Sequence, residues 1–174
     1  MHVLVRFRLH AFACTADIKA MYYQVVIPEH QRDALRFLWV DDRGELVQDR
    51  MTRHLFGGGW CASSATFALR KAGDRAEPAI SNVVDSAFYV DDFLLFAASP
   101  QEMTELVLKT KEALAQSGFN LTKFASNAEE LLSSLPSEAK SAVDPTSSSG
   151  VLGLKWCPMI VLCSSVIFHS SFLK

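Results

Sequence analysis

Residues 83–89 and 93–98 are two apolar runs held apart only by Val90-Asp91-Asp92. Each run has the length of a buried strand, and the gap between them leaves room for nothing longer than a tight turn. The pattern therefore predicts a hairpin with its body in a core and two carboxylates at its tip. Such a hairpin needs partner strands and a covering layer, which the rest of the chain has to supply.

Residues 12–17 form a short apolar run that ends on Asp17, so a second strand is expected to deliver an acid at its end. Residues 23–27 read as a β-rich segment closed by Pro28. Residues 34–40 and 45–51 flank Asp41-Asp42-Arg43-Gly44, which suits a hairpin turn and puts Phe37 and Trp39 on one strand face. After Gly57-Gly58-Gly59, residues 62–72 have a helical composition with Phe67 and Leu69, and Gly73 is the expected stop. Ser99-Pro100-Gln101-Glu102 is a capping box with proline at the first helical position. Leu106, Leu108, Ala113 and Leu114 supply the stripe of that helix, which ends before Gly118. Residues 121–124 resume as a strand, and Asn127 is expected to cap a short helix that runs to Leu135.

Serine and proline dominate residues 136–150, which read as a flexible linker, and residues 151–156 return to strand-like sequence. The order strand, helix, strand, strand, helix, strand predicts an α+β fold: an antiparallel sheet with helices packed on one face. The expected organisation is a body over residues 1–135, a linker over 136–150, a strand over 151–156 and a divergent apolar tail over 157–174. Residues 1–10 open without a start signal, as expected of a fold that begins upstream.

With 174 residues, 49% hydrophobic and 21% charged, the chain can bury one core. Its net charge of −2 lacks the basic footprint of most nucleic-acid binders. The four cysteines form no C-x-x-C pair and the histidines lack zinc spacing, so free thiols in a reducing compartment are expected. Arg6 and Arg8 interrupt any signal-peptide core, which predicts a cytoplasmic protein. The apolar stretch 159–168 falls short of the roughly 20 residues of a bilayer span, so no membrane is expected.

Taken alone, two acids at a hairpin tip are usually a solvated turn. Two or three acids on adjacent strand ends also meet the demand of two-metal phosphoryl transfer, because magnesium takes few carboxylates and keeps waters and substrate phosphates as its other ligands. The neighbours of these acids favour the second reading. Ala16-Asp17-Ile18-Lys19-Ala20-Met21-Tyr22-Tyr23-Gln24-Val25 and Phe88-Tyr89-Val90-Asp91-Asp92 resemble motifs A and C of reverse transcriptases. With Arg36-Phe37-Leu38-Trp39 downstream, the chain looks most like the Pao/BEL branch of LTR retrotransposons. The likeness runs from about Val3 to Trp156.

The resemblance implies a polymerase palm with fingers and thumb largely missing, and RNA-directed DNA synthesis as the activity of the parent polyprotein. It implies that Asp17, Asp91 and Asp92, with the Ile18 carbonyl, hold two Mg2+ ions, for which Mn2+ can substitute. Tyr22 stands at the position of the steric gate that rejects a ribose 2′-hydroxyl. Gly59 and Ser63 match the glycine and serine of motif B, against which template and nucleotide lie, although Ser64 replaces the usual proline. Lys123, in the motif D-like Gly118-Phe119-Asn120-Leu121-Thr122-Lys123, matches a lysine that protonates the departing pyrophosphate. The implied partners are an RNA or DNA template with its primer, deoxynucleoside triphosphates and other regions of a retroelement polyprotein, within cytoplasmic particles. Leu152-Gly153-Leu154-Lys155-Trp156 resembles the strand that leads toward the primer grip, and the likeness stops there. Two other readings are a catalytically incompetent remnant that acts at most as an interaction module, and an unrelated α+β binding domain. The last expects no convergence of Asp17 on Asp91.

Overall fold

The computed structural model describes residues 10–141 and the backbone of two further strands, β7 (Ser149–Val151) and β8 (Leu154–Trp156), which form an antiparallel pair of their own. The main sheet has four strands in the order β4-β5-β1-β6, all antiparallel, with β1 at Phe12–Ile18, β4 at Phe88–Tyr89, β5 at Asp92–Ala97 and β6 at Leu121–Ser126. The α+β expectation, a small antiparallel sheet with helices, holds for these residues.

Alternation along the strands decides which face is covered. Cys14, Ala16 and Ile18 of β1 and Phe93, Leu95 and Ala97 of β5 point to one face and join one core with Leu121 and Phe124 of β6. Helices α2 (Cys61–Gly73), α3 (Pro78–Ala87), α4 (Pro100–Ala115) and α5 (Glu129–Ser134) supply the rest of that core, and α3, α4 and α5 contact the sheet directly. Phe93, Phe124, Met103 and Leu114 are essentially sealed from solvent, each contributing about 1.5–3 kcal/mol of burial.

Helix α4 starts as its capping box dictates. The Ser99 hydroxyl accepts from the Glu102 amide, and Glu102 Oε2 accepts from the Ala98 amide, at 3.2 and 3.1 Å. Its buried stripe, however, is Met103, Val107, Thr110 and Leu114, while Leu106, Leu108 and Ala113 are only partly covered. The helix leaves through Gly118 at φ +86°, where Phe119 donates back to the Leu114 carbonyl.

Several local expectations are corrected. Residues 83–87 are helical, not strand. Ile80, Val83, Val84 and Ala87 are spaced for one helix face behind Pro78 at the first turn, so β4 keeps only two residues. Residues 23–27 do not form a strand: helix α1 (Met21–Gln24) takes the start, and Val26 makes a single bridge to Arg53. Gly73 is the last residue of α2 rather than a left-handed stop. A Cβ there would stand 2.8 Å from Val84, so glycine permits the close approach of α2 to α3. Asn127 does not cap α5. Its side chain accepts from Ala13 and donates to Ala11, clamping β6 to the start of β1. The first part of the expected linker is packed: Ser137–Ala139 is a 3-10 turn with Ala139 buried, and Ser141 donates to Phe124. Residues 142–148, the tail over 157–174 and its cysteines lie outside the described residues; Cys14 and Cys61 are free and buried.

The second sheet is the hairpin of β2 (Arg36–Val40) and β3 (Leu46–Arg50). Its turn follows the sequence: Asp41 Oδ1 accepts from Arg43 and Glu45, and Gly44 takes φ +80°. Among the described residues no helix is long and apolar enough to cross a membrane.

Candidate active site

Asp17 and Asp92 are directly paired across β1 and β5. Directly opposed residues share a face, so both carboxylates leave the sheet on the side away from the helical core. The row continues outward on both sides, with Tyr89 opposite Asp92 and Thr122 opposite Asp17, one residue from each of the four strands. Asp91 closes the two-residue turn between β4 and β5, and its carbonyl accepts from the Ile18 amide at 2.9 Å. That bond ties the hairpin tip to the end of β1, so that Asp91 stands beside the strand end that carries Asp17.

Among the described residues three non-glycine residues adopt a left-handed backbone, and all three border this row: Ala20 (φ 51°), Val90 (φ 55°) and Lys123 (φ 56°). Each such residue costs about 1–2 kcal/mol, and a β-branched valine there is an outlier. Val90 takes the first central position of the tip, where a primed hairpin turn demands positive φ. Lys123 sits in a β-bulge. The register runs from Asp17–Thr122 to Thr15–Ala125, so Lys123 and Phe124 both oppose Ala16. The bulge keeps Phe124 in the core and turns Lys123 toward the acids, with Nζ 3.4 Å from Asp17 Oδ1. Both side chains keep solvent contact, so the pair is worth less than about 1 kcal/mol.

Beside the acids lies a cleft of about 270 Å3 lined by Asp17, Ile18, Ala20, Met21, Tyr22, Tyr23, Phe56 and Asp91. Ile18, at the rim of this cleft, is buried as a whole residue. Burial first, then the nearby Asp91 carboxylate and Cys61, raise the Tyr22 hydroxyl above its ordinary pKa. Tyr22 packs edge-on against Phe56, ring centres 5.8 Å apart. Phe56, 80% exposed, is a wall that the sequence did not point to; it stands far from Tyr22 along the chain and carries no local signal.

Neither motif B candidate is among the residues that line this cleft. Ser63 is on an exposed face of α2, and Gly59 precedes that helix with open space where a Cβ would go. The tight glycine is its neighbour, Gly58, where a Cβ would come within 2.6 Å of Cys61 Sγ.

The donor chemistry fits magnesium: oxygen ligands from a few carboxylates on adjacent strand ends, with room for waters and substrate phosphate. Among the described residues no group of three His, Cys, Asp or Glu side chains is arranged to hold a metal ion unaided. In comparisons with known proteins, no family model matches the chain and no curated protein matches it.

Proposed function

We propose that the acid-tipped sheet is the palm of a Pao/BEL-type reverse transcriptase and serves RNA-directed DNA synthesis. One observation carries the reading: Asp17 faces Asp92 across the sheet while the Asp91 carbonyl is bonded to Ile18, beside a cleft walled by Tyr22. Asp17, Asp91 and Asp92, with the Ile18 carbonyl, would hold the magnesium ions. When bound, these supply the positive charge that activates a primer 3′-hydroxyl and stabilises the leaving pyrophosphate.

The chain's own residues do the positioning. Tyr22, pinned between Phe56 and the end of β1, narrows the cleft where a ribose 2′-carbon would lie and so favours deoxynucleotides. The Lys123 ammonium, aimed by its bulge at Asp17, can pass a proton from Nζ to the departing pyrophosphate. Template, primer and deoxynucleoside triphosphate are the proposed partners. A grip on them requires basic surfaces beyond this sheet.

The test is a chimera in which residues 11–156 replace the palm of a complete enzyme of that family. We expect primer extension by the chimera, loss of extension in Asp91→Asn, and uptake of ribonucleotides in Tyr22→Val. A folded, active chimera indifferent to Asp91→Asn would sink the assignment. The chain alone should extend a primer little, because metal chemistry without substrate positioning loses most of its rate enhancement.

A further inference from the structure

The β2–β3 hairpin is apolar without being buried. Phe37, Leu38, Trp39, Val40 and Leu46 are all exposed, Leu38 and Trp39 by 65% and 60%. Paired residues share a face, so Phe37, Trp39 and Val47 occupy one side and Leu38, Val40 and Leu46 the other. Among the described residues no third strand joins this sheet.

The two edges differ in chemistry. The β3 edge carries Gln48, Asp49 and Arg50, and Arg50 is engaged by Asp33 and Glu29 of the preceding 3-10 turn. Polar and charged residues of this kind blunt an edge against further pairing. The β2 edge has one charged residue, Arg36, already neutralised by Asp33 at 2.9 Å. Its hydrogen-bonding groups are also correctly aimed. Asp41 donates to Glu45 and Met51 donates to Leu35, which fixes the odd-numbered residues of β2 as those bonded to β3. Arg36, Leu38 and Val40 therefore direct their N–H and C=O groups to the open side.

We propose that two copies of this chain associate through β2, antiparallel about a twofold axis at Leu38, giving a continuous four-stranded ribbon. In that register Leu38 bonds Leu38 of the second copy, Arg36 faces Val40, and Phe37 faces Trp39 in the close, non-hydrogen-bonded pairs where aromatic side chains gain most. No like charges meet. Pairing at one edge covers only part of each exposed β2 side chain, so the contact is smaller than the roughly 1,000 Å2 of a standard specific interface and gives a weak, reversible dimer held mainly by the outward N–H and C=O groups. The contact is isologous and closed, so it stops at a dimer. It leaves the acid row untouched and is independent of the polymerase reading.

Sedimentation of the full chain over a micromolar concentration series tests this. We expect reversible dimers, weakened at least about tenfold by Leu38→Pro, which removes an outward N–H without breaking a bond inside the hairpin, and similarly by Trp39→Ser. A monomer throughout, or a dimer indifferent to both substitutions, overturns the proposal; so does a dimer that loses only to Trp39→Ser, since face stacking needs no β2 pairing. Should Leu38→Pro fail to fold by circular dichroism, Leu38→Cys decides. Paired about the twofold, its Cα atoms fall within disulfide range, so mild oxidation should give a covalent dimer above the wild-type background, with none from Gln48→Cys. Equal crosslinking of the two would overturn the register.

Discussion

Two of the antiparallel hairpins in this structure, β4–β5 and β2–β3, are built from similar material. In the β4–β5 hairpin, Phe93, Leu94 and Leu95 are buried, and helices α3 and α4 lie against β5. In the β2–β3 hairpin, Phe37, Leu38, Trp39 and Val40 stay in solvent. Both have apolar strands and acidic turns, so strand composition does not separate them. What separates them is whether the chain returns to cover the hairpin. For β5 it returns twice, with β1 on its flank and helices on its face. Among the described residues, only β3 pairs with β2. An uncovered apolar ribbon marks a surface, whereas a covered one becomes a scaffold rigid enough to hold strained residues at its tip.

The contrast is broken most easily by stability. Phe93→Ala should cost about 3–5 kcal/mol in urea unfolding, and Trp39→Ala less than about 1 kcal/mol at dilutions where the chain is monomeric. Equal costs would mean that the hairpin is covered after all. The covering layer gives the next effect. Gly73→Ala forces a Cβ against Val84 and should destabilise by about 1–3 kcal/mol, whereas Gly59→Ala, with open space around it, should be neutral by the same measurement.

Strain at the tip gives a smaller effect. Lys123→Gly exchanges an exposed ion pair for relief of the left-handed backbone, so the variant should be as stable as the parent or up to about 1 kcal/mol more so. Lys123→Val should instead lose about 1 kcal/mol or more. Calorimetric melting of the two variants checks the sign. The smallest effect is electrostatic. The Tyr22 pKa is raised above the ordinary 10.0, so its contribution to stability is full below about pH 10 and fades as the pH climbs through the folded value. Removing the Asp91 charge with Asp91→Asn should bring the Tyr22 titration, followed by tyrosinate absorbance, part of the way back down. An unmoved titration would separate Tyr22 from the acid tip.

Legibility in the sequence followed the range of the interaction. The capping box at Ser99 and Glu102 and the turn at Asp41 and Gly44 rest on bonds between near neighbours, and the residues named their roles. The three acids were legible because each sits at a strand end inside a distinctive local string. Residues 83–87 were misread because Val83 and Val84 favour strands, although the spacing from Ile80 to Ala87 was already helical. Asn127 was misread for a different reason: it looks like a cap to its neighbours, while its partner Ala13 lies 114 positions away. The bulge at Lys123 depends on register with β1, and the Phe56 wall on how a distant loop returns, and neither leaves a local mark.

β1 occupies the interior of its sheet, yet it is the first of the sheet's four strands in chain order, and both of its neighbours, β5 and β6, come late. During synthesis at roughly 5–20 residues per second, neither neighbour of Phe12–Ile18 in this sheet emerges for several seconds. The helix α2 and the β2–β3 hairpin can form meanwhile from local contacts; Asp17 meets Asp92 only once β5 has emerged, and the sheet is complete only when Leu121–Ser126 follows. A ribosome-stalled chain ending before β6 should therefore keep one edge of β1 unpaired and open to chaperones, and cover it only when the last strand of the sheet arrives.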